Sequence, residues 1–186
     1  MLFPEEVLGR IEENSRREFL PIIGREKAET VFRILTEIRP CRPLEIGVMT
    51  GYATAVIASV LPEGCRVVGI EISAALAERA RENLSAAGLA DRVRILRGDV
   101  REELGSLGDR FDFVLLDGQK TGHLGILRKL EGKLVHGATV IANCPAGNRQ
   151  KADPYLDYLG SSPLWETRHQ PVGDGGLEIS RFLGGA

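Results

Sequence analysis

The chain has 186 residues, 43% of them hydrophobic and 27% charged, an ordinary make-up for one soluble globular domain with a substantial core. A formal net charge of -2 argues against a protein built to coat nucleic acid. No apolar run approaches the roughly 18–20 residues of a membrane span, and the start, Met-Leu-Phe-Pro-Glu-Glu, puts acids where a signal peptide needs bases, so a cytoplasmic location is expected.

Taken in order, residues 4–20 read as a helix. Pro4 suits a first helical position, Glu5 and Glu6 fall where the helix dipole favours acids, and Val7, Leu8, Ile11 and Phe19 form an incomplete apolar face. A second helix spans about 25–38, with Ala28, Val31, Leu35 and Ile38 in one stripe, and Pro40 and Pro43 end it. These two extra N-terminal helices (residues 1–40) read as a lid, a subunit contact or a plain core cover, within the same domain as residues 41–186.

From residue 43 the pattern alternates. Strand 43–46 leads through a glycine turn to helix 53–61, and Pro62-Glu63-Gly64 turns the chain into strand 66–70. Ser73 is an N-cap for helix 74–87, with Leu76, Ala80, Leu84 and Ala87 facing inward and Gly88 as its stop. Strand 93–96, a short helix after Gly98-Asp99, the all but wholly apolar strand 111–116, helix 123–134 and strand 138–142 follow. Strands alternating with helices imply an α/β fold, a parallel sheet covered on both faces. Residues 165–172 and 177–182 flank Gly173-Asp174-Gly175-Gly176 and read as an antiparallel hairpin.

Chemistry in such a sheet collects beyond the carboxyl ends of the strands. Those ends carry Glu45 and Gly47, then Glu71, then Gly98 and Asp99, then Asp117, then Asn143. Acids repeated at successive strand ends cost free energy to desolvate unless something pairs with them. The turn Glu45-Ile46-Gly47-Val48-Met49-Thr50-Gly51-Tyr52 is not the Gly-x-Gly-x-x-Gly that cradles a pyrophosphate. Its leading carboxylate suits a ligand with an ammonium group. Glu71, a little over 20 residues past Gly47, sits near the offset at which an acid grips ribose hydroxyls. Cys41, Cys65 and Cys144, an odd set without an export signal, speak against a disulfide framework, and Cys41 and Cys65 read as core or loop thiols. His136 and His169 have no partner visible in the sequence, and Trp165 reads as core.

The motif 45–52 resembles the first motif of the class I S-adenosylmethionine-dependent methyltransferases, and more narrowly of the catechol and caffeoyl-CoA O-methyltransferase family. Gly69-Ile70-Glu71-Ile72 is similar to the second motif, and Phe113 to Lys120 to the strand-four motif, in which a lysine follows an aspartate by three residues. Gly173-Asp174-Gly175-Gly176-Leu177 resembles the family's terminal hairpin, and the likeness runs from about residue 20 to the end. The resemblance implies a Rossmann-like doubly wound sheet and a homodimer. It implies a cofactor site of Glu45, Gly47, Met49, Thr50, Tyr52, Glu71, Ile72, Gly98, Asp99, Val100, Asp117 and Gly118. Glu45 and Gly47 would hold the methionine portion, Glu71 the ribose and Ile72 the adenine, and Asp117 would stand where cofactor meets acceptor. Lys120 is the candidate general base, since burial and a nearby sulfonium both favour its neutral form; His123 is an alternative base or a pocket wall. The expected acceptor is a small molecule, a phenol or catechol, with no nucleic acid or membrane partner.

The chain also departs from the family. An ungapped match from Gly137 puts Asn143-Cys144 where an Asp-Asn pair holds the family's metal, so weak or absent metal dependence is expected. Ala53 replaces a serine that helps hold the cofactor carboxylate, a task for which Thr54 is the substitute at hand. A second reading is therefore a cofactor-binding regulatory or partner protein with weak or lost catalysis. A base-methylating enzyme is disfavoured by the missing Asn/Asp-Pro-Pro-aromatic element, and a nicotinamide oxidoreductase by the glycine pattern.

Overall fold

The computed structural model describes residues 5–108, 110–118, 122–144 and 153–184. Two helices come first, α1 (Glu5–Arg17) and α2 (Arg25–Ile38). Then strands and helices alternate: β1 (Pro43–Ile46), α3 (Tyr52–Val60), β2 (Val67–Glu71), α4 (Ala74–Ala86), β3 (Val93–Arg97), α5 (Val100–Ser106), β4 (Phe111–Leu116), α6 (His123–Glu131) and β5 (Leu134–Asn143). Helix α7 (Pro154–Ser161) and the strands β6 (Trp165–Gln170) and β7 (Leu177–Phe182) complete the chain. The seven strands form one sheet in the order β3-β2-β1-β4-β5-β7-β6. The first five are parallel, and β7 lies antiparallel between β5 and β6.

Alternation along the central strands decides which helix lies where. Phe113 and Leu115 of β4 pack with α1, α2, α3 and α4 on one face, while Val114 and Leu116 pack with α5, α6 and α7 on the other. These four side chains are completely buried, and each such burial stabilises by roughly 1.5–3 kcal/mol. Leu8, Ile11, Ala28, Val31 and Leu35 place α1 and α2 in the same core as Val56 and Ile57 of α3. Asp112 ties the entry of β1 to β4 by accepting from the backbone N–H groups of Cys41 and Arg42 at 2.8 and 3.0 Å.

Four sequence expectations change. Phe19 does not extend the face of α1: it takes a left-handed φ of 56°, ends the helix and stands 92% exposed. Ile38, the last member of the α2 stripe, is likewise exposed. Helix α6 stops at Glu131, and β5 begins at Leu134 rather than 138, because Gly137 takes φ 80° within a strand that is already pairing Leu134 with Phe111. The two thiols Cys41 and Cys65 are bonded to each other, joining the approaches to β1 and β2. A link across a separation of 24 residues restricts the unfolded chain by about 3 kcal/mol in the loop-entropy account. The expectation that the cysteines form no disulfide is thereby corrected. Among the described residues, no helix is long and apolar enough to cross a membrane.

Candidate active site

The order of the strands reverses between β1 and β4, both of which run toward the same edge, and the crevice beyond their carboxyl ends is where an open α/β sheet binds ligands. Backbone bonds carry the ladder past the strand ends. Gly47 N–H donates to the Ile70 carbonyl at 3.0 Å, Asp117 N–H to Ile46 at 3.0 Å and Gly98 N–H to Glu71 at 3.1 Å. Gly47, Gly98 and Asp117 are thereby held beside Glu45 and Glu71 on one rim. At the reversal itself the two chains nearly touch. A Cβ on Gly47 would lie 2.8 Å from Gly118 N and 2.9 Å from Gly118 Cα, and Gly47 has φ 91°. Only glycine fits there.

Glu45 is wholly buried on the α3 side of β1. Its Oε2 accepts from the Thr54 hydroxyl, and its Oε1 has no partner among the described residues. Burial pushes its carboxyl well above the usual range; the neighbouring charges of Asp117 and Glu71 push further, and the Thr54 hydrogen bond pulls back. Thr50 Oγ1, on the same turn, is buried and also without a partner among the described residues. Buried polar atoms left unpaired are costly, and two of them, one at the end of β1 and one in the turn after it, mark a place prepared for something else to bind. Thr54, beside Ala53, is turned toward Glu45.

Glu71 is held from two sides. Met49 N–H donates to Oε2 at 2.9 Å and Ser73 N–H to Oε1 at 2.8 Å. The first of these bonds fastens the turn after β1, where Met49 sits at an unfavourable φ of 51°. Ile72 beside it is 71% exposed. Tyr52 points elsewhere: it is buried, and its hydroxyl donates to Glu12 of α1. Asp99 has a structural task, capping α5 through the Arg101 N–H at 2.8 Å. The Arg101 guanidinium and that N–H hold its carboxyl down to about 2. Gly98 and Val100 are half-buried beside it.

At the other end of the crevice Asp117 is pushed up to about 7 by burial, against the hydrogen bond from Asn143 and the charge of Lys27. Asn143 Nδ2 donates to Asp117 Oδ1 at 2.7 Å. The Lys27 ammonium, buried on α2, donates to Asn143 Oδ1 at 2.7 Å and to the Asp174 carbonyl at 2.7 Å. His123 is buried at the start of α6, edge-on to Tyr155 with ring centroids 5.7 Å apart. Cys144 is buried, and its N–H donates to the Gly176 carbonyl at 3.0 Å. Lys120 lies outside the described residues.

Sequence reasoning missed Lys27 and Tyr155. Lys27 stands one turn before Val31, close to the apolar stripe of α2, which is the one local hint that it faces inward. Tyr155 is buried on α7 after a segment with no diagnostic pattern. His136 and His169, partnerless in the sequence, have partners in the structure: His136 pairs with the Leu183 carbonyl at 3.1 Å, and His169 with the Gly175 carbonyl at 3.1 Å and Glu178 at 3.3 Å.

The raised carboxyls make stability depend on pH. An unfolded chain holds Asp near pKa 4, so between about 4 and about 7 the folded state keeps a proton on Asp117 that the unfolded state releases. This contribution is fully present below about pH 4 and is lost as pH rises through about 7; Glu45, also raised, acts with the same sign. The ligand-free protein is expected to melt lower at about pH 8 than at about pH 6, and Asp117→Asn to flatten that slope. A melting temperature that climbs over this interval, or an unchanged slope in the variant, contradicts the assignment.

The crevice fits S-adenosylmethionine by its own chemistry: an unsatisfied buried carboxylate oxygen for an ammonium, an oriented acid for a ribose and a glycine crossing that lets a ligand approach backbone. It does not fit a hard divalent cation in the same way. Asp117 Oδ1 and Asn143 Oδ1 are engaged by N–H donors, and among the described residues no group of three His, Cys, Asp or Glu side chains could hold a metal ion.

Comparison with known proteins agrees. The family described as "Methyltransferase domain" matches residues 44–143. Catechol O-methyltransferase B of Danio rerio is 29% identical over 97% of this chain and 73% of its own length. The Mus musculus catechol O-methyltransferase is 32% identical over 89% of this chain, which spans 65% of that protein. An O-methyltransferase from Bacillus cereus, crystallised with S-adenosylhomocysteine, has the same fold: TM-score 0.85, 20% identity, 96% of this chain and 91% of that one covered. The chain belongs to the class I S-adenosylmethionine-dependent O-methyltransferases.

Proposed function

We propose that this protein methylates a hydroxyl oxygen of a phenolic small molecule. The observation that carries the reading is the meeting of Glu45, Glu71 and Asp117 at one crevice, with Glu45 Oε1 unsatisfied. Three acids so placed match a ligand that brings an ammonium, two ribose hydroxyls and a sulfonium. The cofactor would supply a methyl group on a positively charged sulfur.

The chain's own residues do the rest. Glu45 receives the ammonium, Glu71 accepts from the ribose hydroxyls and Ile72 covers the adenine, beside Gly98 and Val100. Asp117 borders the sulfonium. A phenol must lose its proton to attack near pH 7, and Lys120 takes it in this reading; His123, packed on Tyr155, forms a wall of the acceptor pocket. Alignment supplies most of the rate, because the leaving group needs no further activation. Helices α1 and α2 serve as a cap within the same domain, and a homodimer fits the resemblance.

Calorimetric titration with S-adenosylhomocysteine, followed by transfer of labelled methyl to phenol and catechol acceptors, tests this. Micromolar binding with turnover is expected. Absence of binding overturns the cofactor site, and binding without any transfer favours a regulatory cofactor-binding protein.

A further inference from the structure

Tyr155 carries a hydroxyl that the fold itself does not use. The residue stands in the first turn of α7 and is 3% exposed, and its Oη has no hydrogen-bond partner among the described residues. Its ring packs edge-on against His123, in one cluster with Leu116, Ile126 and Ala142. A phenylalanine would fill that space equally well and would spare the cost of a buried, unpaired O–H. A polar atom kept at such a cost calls for an explanation outside the packing.

The hydroxyl lies at the rim of the crevice. Helix α6 begins at His123 beyond the carboxyl end of β4, and α7 follows the carboxyl end of β5. A tyrosine between these two helix starts is therefore at the end of the sheet that carries Asp117 and Asn143. It approaches from the opposite face, for Asn143 is turned to Lys27 of α2, whereas Ala142 packs in the cluster of Tyr155. The surroundings are acidic. Glu178 stands opposite Ala142 on the neighbouring strand β7, held by Thr167 Oγ1 at 2.8 Å and His169 Nδ1 at 3.3 Å. Burial above all, and then the nearness of Cys144, Glu178 and Asp153, push the Tyr155 hydroxyl above its usual range, so it keeps its proton and can donate.

Resting on the methyltransferase reading above, we propose that the Tyr155 hydroxyl determines acceptor specificity by donating a hydrogen bond to a second, uncharged oxygen on the phenol that is methylated. A buried donor rejects an analogue that lacks its acceptor atom, because the donor is then left unpaired as it is without ligand. A carboxylate in the same place would meet the charges of Glu178 and Asp153 and be repelled. Tyr155 takes no proton and forms no covalent bond; its part is to select and orient the acceptor.

The test is Tyr155→Phe in the whole chain, read in two ways that a packing role cannot move in opposite directions. Without ligand, the variant is expected to melt about 2–6 °C higher than wild type, since it loses only an unpaired O–H. A melting temperature that fails to rise shows that the hydroxyl is already satisfied, and overturns the proposal. Methyl transfer is then measured with phenol, the three benzenediols and the three hydroxybenzoates. Wild type is expected to prefer at least one benzenediol to phenol by about 30-fold in kcat/KM and to use the hydroxybenzoates less well than phenol. In Tyr155→Phe that preference should fall below about 3-fold through a higher KM for the diol, with S-adenosylhomocysteine affinity kept within about 3-fold. A preference that survives in the variant, a wild type that favours no diol over phenol, or a hydroxybenzoate favoured over the diols overturns the proposal while cofactor binding stands. If the wild type binds no S-adenosylhomocysteine, or binds it and methylates none of these phenols, the methyltransferase reading falls and this proposal with it.

Discussion

Glu71→Ala is expected to weaken S-adenosylhomocysteine binding by at least about 100-fold, while the protein stays folded. Two losses add. In the proposed site the Glu71 carboxylate accepts from both ribose hydroxyls, and hydrogen bonds to a charged group contribute roughly 1.5–3 kcal/mol each. The carboxylate also accepts from Met49 N–H at 2.9 Å and Ser73 N–H at 2.8 Å, so its removal releases the turn after β1. Met49, at φ 51°, would then be held in an unfavourable conformation by less than before. Glu71→Gln should fall between, because one amide oxygen can serve one of the two donors. Calorimetry decides the matter: binding by Glu71→Ala within about 10-fold of wild type would remove Glu71 from the site.

Gly47→Ala should be the more damaging change to the fold. Its methyl would lie 2.8 Å from Gly118 N, 2.9 Å from Gly118 Cα and 3.0 Å from the Asp117 carbonyl carbon, all backbone atoms that cannot rotate away. The backbone there has φ 91°, which an alanine adopts only with strain. Strain and overpacking together cost about 2–4 kcal/mol, read as a lower urea midpoint at unchanged slope. Relief would come by parting β1 from β4, which separates Glu45 from Asp117, so cofactor binding should be lost as well. A variant with wild-type stability and affinity would show that the two strand ends are not held in contact. Gly118→Ala is the control, since its Cβ would meet nothing closer than the Ile46 carbonyl oxygen at 3.7 Å.

Much of the architecture was legible in the order of residues because it depends on short-range rules. Buried strands such as 111–116 are apolar throughout since both faces are covered, and Ser73 caps α4 by accepting from Leu76 N–H as its residue type suggests. The acids at the strand ends were legible too, because a parallel sheet sends every carboxyl end to one rim. One of them, Asp99, is engaged as a helix cap, so the same register carried a structural acid alongside those of the crevice.

What the sequence by itself determined is the doubly wound sheet with its terminal hairpin, the glycine turn after β1 and the acids Glu45, Glu71 and Asp117 at the strand ends: these follow from periodicity, turn chemistry and spacing within single βα units. Only the tertiary structure decided the rest. It joined Cys41 to Cys65, turned Thr54 to Glu45 and Tyr52 to Glu12, exposed Phe19 and brought Lys27 to Asn143 across 116 residues of chain. A local pattern records which side of an element is apolar, but a contact between distant elements depends on how helix, sheet and turn pack together, and no single segment carries that information.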